Sequence, residues 1–368
     1  MSSNRDMLSG IQITALVGSA IIGVGLITLP KNVALQVGTD GALTTGGAGL
    51  GAILLTTMIA YLSSKFPNQT IIDYSKTILG AVPAKLINAV LFVYFTTFTG
   101  IVVRAFADAI KVFLLQNTPL EVIIFSMLVL SVYLVQNGIN PLARICEAFF
   151  PIVLISISIL IWLSLQNFNI QEFYSFWQVD VIDLLKAMPS TILAYLGFEI
   201  LLLVGAFVVE PKKLVPYGVI GTSIAAVLYV VTVVIAIGVF TTDTLKYQRY
   251  PTLELAKSIT FPGAFAERFD IFFAIFWILA VFTTVAIFYY LSAFSVTKLI
   301  GLKNYRPFCY LLLPVIYFTA LMPQNIYQAG EFSKLISYFG GIVVFVIPGI
   351  LLVVMLIRRK GVGKHEKV

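Results

Sequence analysis

The amino-acid sequence predicts an all-α integral membrane protein of ten transmembrane helices, arranged as a 5+5 inverted repeat with broken first and sixth helices. Three observations carry that prediction. Of 368 residues, 59% are apolar and only 11% charged, against about 25% charged in a soluble domain, and the mean hydropathy is +0.98. Apolar runs of spanning length recur on both sides of a connection at 166–185, five before it and five after. An odd number per half sends the second copy through the bilayer upside down. Glycine interrupts the first and sixth runs at corresponding depth, in Gly18-Ser-Ala-Ile-Ile-Gly23-Val-Gly25-Leu-Ile-Thr-Leu-Pro30 and in Tyr195-Leu-Gly-Phe-Glu199.

The spans fall near 10–35, 42–63, 84–115, 119–136 and 142–165 in a first repeat (about 10–165). Those of a second repeat (about 186–357) fall near 186–208, 215–240, 269–299, 307–322 and 335–357. Together they form one transmembrane domain over residues 1–368, ending in a basic tail at 358–368. The first run follows a short polar start with no small-residue cleavage pattern, so it reads as a retained span. The third and eighth runs are unusually long, which predicts strong tilt. Glycines 46, 47, 49 and 51 give the second span a small-residue face suited to helix packing. The connections at 166–185 and 241–268 hold aromatic and charged residues and predict short surface helices.

Cations orient the chain. With the N-terminus in the cytoplasm, 15 of 24 basic residues lie inside, among them Arg5, Lys65, Lys212, Lys213 and the tail cations, with 8 outside and Arg104 within a span. The positive-inside rule therefore predicts that both termini are cytoplasmic. The signal is weakest at 241–268, where four basic residues fall outside.

The first span holds the most informative residues. Glycines 18, 23 and 25 weaken a helix where a span should be strongest, and unpaired backbone is tolerated in hydrocarbon only where protein or a cavity covers it. A half-helix beginning near residues 24–26 would present free N–H groups and a positive dipole end to an anion. Gly23, Val24 and Gly25 are thus candidates to hold a ligand carboxylate, with Gly197 framing the other side, and a bulky residue at Gly25 should fill that space. The alternative is close helix packing through the same small residues. Glu199 has no basic residue in its own span. Three roles are open to it, namely receiving a ligand amino group, pairing with a cation from another helix, or remaining uncharged in a dry site, and the plainer alternative is a buried structural hydrogen bond. Arg104 and Asp108, four apart, share a helix face that Lys111 extends and predict a compensating pair. Arg144 and Glu147 read the same way near a span boundary. Thr283 and Thr284, at mid-depth in the eighth span, either bond a carbonyl one turn back or face a cavity.

Enzymatic chemistry finds no footing. The one histidine, His365, sits in the basic tail, and no Gly-x-x-x-x-Gly-Lys loop occurs. Cys146 and Cys309 have no metal-ligand spacing. The sequence therefore predicts a non-enzyme with no cofactor, no metal and no nucleic-acid partner.

The stretch Gly23-Val-Gly-Leu-Ile-Thr-Leu-Pro30 resembles the first-span motif of the amino acid–polyamine–organocation (APC) superfamily. Phe113-Leu-Leu-Gln-Asn-Thr-Pro119, Tyr195-Leu-Gly-Phe-Glu199, Tyr250-Pro-Thr running to Glu267-Arg-Phe, and Trp277 to Thr284 narrow it. Together they resemble the endospore germination permease family, the B subunits of spore nutrient germinant receptors. The resemblance implies the LeuT-like fold and a place in the spore inner membrane. It also implies partnership with a receptor A subunit and a lipoprotein C subunit. It adds Thr99, Gly100 and one of Thr283 and Thr284 as cavity liners, and Tyr195, Phe198 and Trp277 as residues that could shape the pocket. The implied function is germinant sensing: binding a small nutrient such as an amino acid at a midplane site between the broken helices. The alternatives are an active amino-acid transporter and an assembly subunit with a vestigial pocket.

Overall fold

The computed structural model describes residues 7–174, 177, 179–259 and 269–358. Glu267 and Arg268 of the motif block, and the basic tail beyond Arg358 with His365, lie outside the described residues.

The first span is two helices, α1 (Gly10–Ile21) and α2 (Gly25–Val37). Ser9 starts α1 with a capping box, its hydroxyl accepting from the Gln12 amide while Gln12 accepts from the Ser9 amide. At Ile22 the backbone leaves the helix (φ −78°, ψ 87°). The second span is α3 (Gly41–Ser64), followed by a short amphipathic helix α4 (Ile71–Leu79). The third is α5 (Ala81–Phe113), the fourth α6 (Leu120–Val135) and the fifth α7 (Ile139–Ser164). The sixth begins as α8 (Val181–Tyr195), breaks at Leu196-Gly197, and resumes through a 3-10 turn into the single turn α9 (Leu201–Val204).

The remaining spans are α10 (Leu214–Tyr247), α12 (Phe269–Ile300), α13 (Arg306–Leu321), and α14 (Ile326–Gly341) continued through a π turn by α15 (Ile347–Ile357). A connecting helix, α11 (Pro251–Ser258), lies between α10 and α12. Lengths match across the two halves: 33 and 32 residues in the third and eighth spans, 16 and 16 in the fourth and ninth. A helix of the longer kind reaches about 50 Å and must tilt or protrude from a hydrocarbon core about 30 Å thick.

Three expectations need correction. The tenth span starts at Ile326, not near 335, because Asn325 caps it by accepting from the Gln328 amide. Its polar first turns lowered the hydropathy without ending the helix. Similarly, α8 starts at Val181 rather than near 186. The connection after the seventh span holds a helix, but α11 is not a surface helix: Pro251, Thr252, Leu253, Leu255 and Ala256 are buried, and it packs on α2 and α12. The seventh span itself ends as expected, where Thr241 takes a left-handed φ of 64° within α10.

The two broken spans cross with a reciprocal contact. Helix α2 packs on α8, while α1 packs on the turn after Gly197. A Cβ added at Gly25 would lie 2.6 Å from the Ala194 Cα, at the end of α8. A Cβ at Gly197 would lie 2.6 Å from the Ala20 carbonyl carbon, at the end of α1. Each break thus presents a glycine to the last turn of the other span. Gly23 meets Thr284 Oγ1 at 2.8 Å on the same test. A bulky residue at Gly25 would therefore not simply fill ligand space, because it would force two backbones apart. Elsewhere, Gly47 lies against Met188 and Gly49 against Ala226 and Tyr195, so that face of the second span serves packing.

The chain entering the first span is also tied to the chain leaving the sixth: the Leu8 amide donates to Phe207 O at 2.7 Å and the Val209 amide to Leu8 O at 3.1 Å. Gly197 also holds φ at 146°, so a side chain there adds conformational strain to the clash. Gly197→Ala is expected to lower the thermal unfolding temperature of the purified protein by several degrees, corresponding to roughly 1–3 kcal/mol. Gly51→Ala, whose added Cβ meets nothing within 4 Å, is expected to leave it unchanged or slightly raised. Equal behaviour of the two variants would contradict the reciprocal packing.

Candidate functional site

A broken helix exposes carbonyls, and here protein side chains take them. Thr284 of α12 donates to Ser19 O at 2.7 Å, Tyr229 of α10 to Ile21 O at 2.7 Å, and Trp277 Nε1 of α12 to Gly23 O at 3.2 Å. Thr252 of α11 donates to Leu26 O at 2.8 Å, a carbonyl within α2 that Pro30 leaves without an intrahelical donor. The resumption of the helix is treated differently. Val24 stands at the N-cap of α2 with no side-chain cap, and the first turn carries no acidic residue. The opening turn of a helix leaves amides without intrahelical partners, and this one begins on the wall of a cavity.

The cavity has a volume of about 50 Å³. Gly23, Val24, Gly25, Thr28 and Asn32 line it from the first span, with Ala20 and Ile21 from the end of α1. Phe98, Ile101, Val102 and Ala105 of α5 form the apolar wall, Ala194 and Leu196 close it from the sixth span, and Thr284 and Ser333 complete it. Two helices, α1 and α8, end here with the negative ends of their dipoles, and one, α2, begins here with its positive end. The site is therefore bipolar without a charged side chain in its lining.

Of the residues singled out from sequence, Gly23, Val24, Gly25 and Thr284 lie together on this wall. The others do not line it. Thr99 turns its hydroxyl onto Phe95 O at 2.6 Å and Thr283 onto Ala280 O at 2.8 Å. Gly100 packs on Thr319 of α13, and Tyr195 donates to Thr45 O at 2.9 Å. Gly197 and Phe198 sit behind the end of α1, buried in the crossing. Sequence reasoning missed Thr28, Asn32 and Ser333. The first two follow Gly25 at i+3 and i+7, one face of α2, a spacing that could have pointed to them. Nothing local marks Ser333, which faces the cavity only because α14 begins earlier than its hydropathy suggests.

Glu199 is fully buried and its carboxylate is spent. Oε1 accepts from the Tyr94 hydroxyl at 2.6 Å and Oε2 from the Gly197 amide at 2.7 Å, so it fastens the restart of the sixth span to α5. Arg104 and Asp108 pair at 3.0 Å, both buried, and Arg104 also donates to Ala320 O at 3.3 Å and Pro323 O at 2.5 Å. That pair closes the end of α13. Arg144 and Lys111 are exposed.

Ten spans in two inverted halves, with broken first and sixth helices crossing beside a cavity, define a membrane protein of LeuT-like fold. The backbone overlays on MhsT, solved in complex with L-phenylalanine, with a TM-score of 0.69 over 94% of this chain and 97% of that one at 15% identity. Within that class, the spore germination protein family model matches residues 7–329, and the chain belongs to that family, the germination permeases. It is similar to the Bacillus subtilis spore germination proteins YndE (29% identity, 98% of this chain and 99% of the relative) and A2 (26%, 96% of each). Bacillus cereus GerLB is 26% identical over 95% of this chain and 94% of its own length.

The Glu199 geometry makes a prediction. Alanine would leave the buried Gly197 N–H and Tyr94 O–H without acceptors, each costing about 1–3 kcal/mol, whereas glutamine can accept the amide and donate to the tyrosine oxygen. Thermal unfolding of the purified variants is expected to rank wild type and Glu199→Gln together, well above Glu199→Ala. In a double-mutant cycle, Tyr94→Phe should be less damaging beside Glu199→Ala than alone.

Proposed function

We propose that this protein is a germinant-sensing membrane subunit that binds a small nutrient, an amino acid being the best fit, in the cavity between its broken helices. One observation carries the reading: the N-terminus of α2 at Gly23-Val24-Gly25, with no side-chain cap, opens on the cavity between the broken helices. Such a terminus suits a carboxylate. The facing ends of α1 and α8 suit an ammonium group, which can use the remaining lone pairs of their carbonyls. A zwitterion matches the two signs at once, with no call on Glu199. The relatives' names support a role in spore germination, and the fold is shared with a protein solved with L-phenylalanine bound.

In this reading occupancy favours one arrangement of the crossing over another. The switching energy is the difference in affinity between the two. The protein sits in the spore inner membrane with both termini cytoplasmic, and a receptor A subunit and a lipoprotein C subunit read the change. The competing reading is an amino-acid transporter of the same fold, since fold does not establish function.

Flux separates the two. The full chain, reconstituted in vesicles, is expected to bind a radiolabelled amino acid from a panel of the common L-amino acids while showing little saturable uptake and no counterflow from preloaded vesicles. Spores lacking the A or C subunit are expected to lose the response. Robust counterflow by this chain alone, with normal germination after its deletion in a strain without paralogues, would establish transport instead.

A further inference from the structure

Many buried hydroxyls of this chain are spent on their own helices, while those of Thr44, Thr96, Ser156 and Ser295 are enclosed without a partner among the described residues. Thr45, Thr56, Thr99, Thr232 and Thr297 all donate to the carbonyl four residues back at 2.6–2.8 Å. Thr28 and Asn32 differ from these: both are half-buried on the cavity wall, and neither side chain bonds another described residue. Asparagine is a poor helix former, and this one occupies the third turn of a helix in a chain that is 59% apolar. Its amide offers two donors and an acceptor, and the Thr28 hydroxyl offers one donor and two lone pairs. Across the cavity Ser333 gives its proton to Ala329 O at 2.8 Å, which leaves its oxygen free to accept.

We infer that Thr28, Asn32 and Ser333 form a specificity pocket for a short, neutral, hydrogen-bonding side chain, a hydroxyl or a carboxamide, on the bound amino acid. The inference rests on the binding mode proposed above and adds to it the class of side chain. The α2 terminus would hold the carboxylate at Gly23–Gly25. The side chain would then lie along the Thr28–Asn32 face, one to two turns further on. Charged side chains are disfavoured, because the wall supplies no counter-ion for a group taken out of water. Aliphatic side chains are disfavoured for the opposite reason: they strip water from Thr28 and Asn32 and return no hydrogen bond. Bulk is limited by the cavity's volume and by Phe98 and Leu196.

The test is ligand binding to the purified full chain in lipid nanodiscs, with L-serine, L-asparagine, L-alanine, L-valine and L-aspartate as probes. Wild type is expected to hold L-serine or L-asparagine at least about tenfold more tightly than L-alanine or L-valine, and L-aspartate least. Asn32→Leu, and separately the near-isosteric Thr28→Val, are each expected to bring the serine-to-alanine affinity ratio to within about threefold of unity. Thr28→Val keeps the test open should Asn32→Leu fail to fold. A wild-type preference for L-valine, or an unchanged ratio in the folded variants, would overturn the pocket while leaving amino-acid binding intact. Failure of every probe to bind wild type would instead overturn the binding mode on which the pocket rests.

Discussion

The bilayer allows no unpaired backbone, and the rest of this structure answers that constraint. A helix broken in hydrocarbon strands carbonyls at several kcal/mol each unless protein covers them. In the first span Tyr229, Trp277, Thr284 and Thr252 supply that cover. These side chains come from α10, α12 and α11, so the pairing of the first span's unpaired carbonyls holds three other elements in place around it. The break is the point at which the bundle is organised. It is stable because its acceptors are satisfied by side chains whose own positions are fixed by packing.

The sixth span solves the same problem with one residue. Glu199 reaches back two positions to its own Gly197 amide and sideways to Tyr94. A buried carboxyl group with both oxygens hydrogen-bonded is a satisfied group, which accounts for a glutamate at mid-depth by the fold alone. The two breaks are therefore unlike in chemistry though alike in position. The first keeps a helix N-terminus open to the cavity, and the sixth closes its own. This asymmetry gives the pocket one positive end and two negative ends, the complement of a zwitterion.

Rigidity and change have to coexist at the crossing. Gly25 against Ala194 and Gly197 against Ala20 leave no slack between backbones, so a shift of α2 relative to α8 must carry α1 relative to the sixth span's second half. Packed cores move between discrete arrangements and do not deform continuously. A ligand seated between α2, α5, α8 and α14 touches the elements whose relative placement such a shift would alter. A small occupant can thereby bias a large assembly.

The fold was legible in the sequence because its causes are local or periodic. Span length follows from bilayer thickness, the halves from counting, and the breaks from Gly23, Gly25 and Gly197, the residues least able to hold a helix. Trp277 and Thr284 were also visible as isolated polar groups in an apolar run. Which carbonyl each would cap was not, since Gly23 and Trp277 are 254 positions apart. Glu199 shows the limit clearly: its chemistry left several roles open beside a plain structural hydrogen bond, and only the position of Tyr94, brought from another helix, shows that bond formed. Asn32 and Ser333 show it from the other side, because nothing along the chain tells a polar residue on a helix that faces solvent from one that meets a cavity wall. By itself the sequence determined where the chain crosses the membrane and where it must break. Tertiary structure alone decided which polar groups were spent on the fold and which were left unpaired on the cavity wall, because hydrogen-bond pairing between distant helices has no periodic signature along the chain.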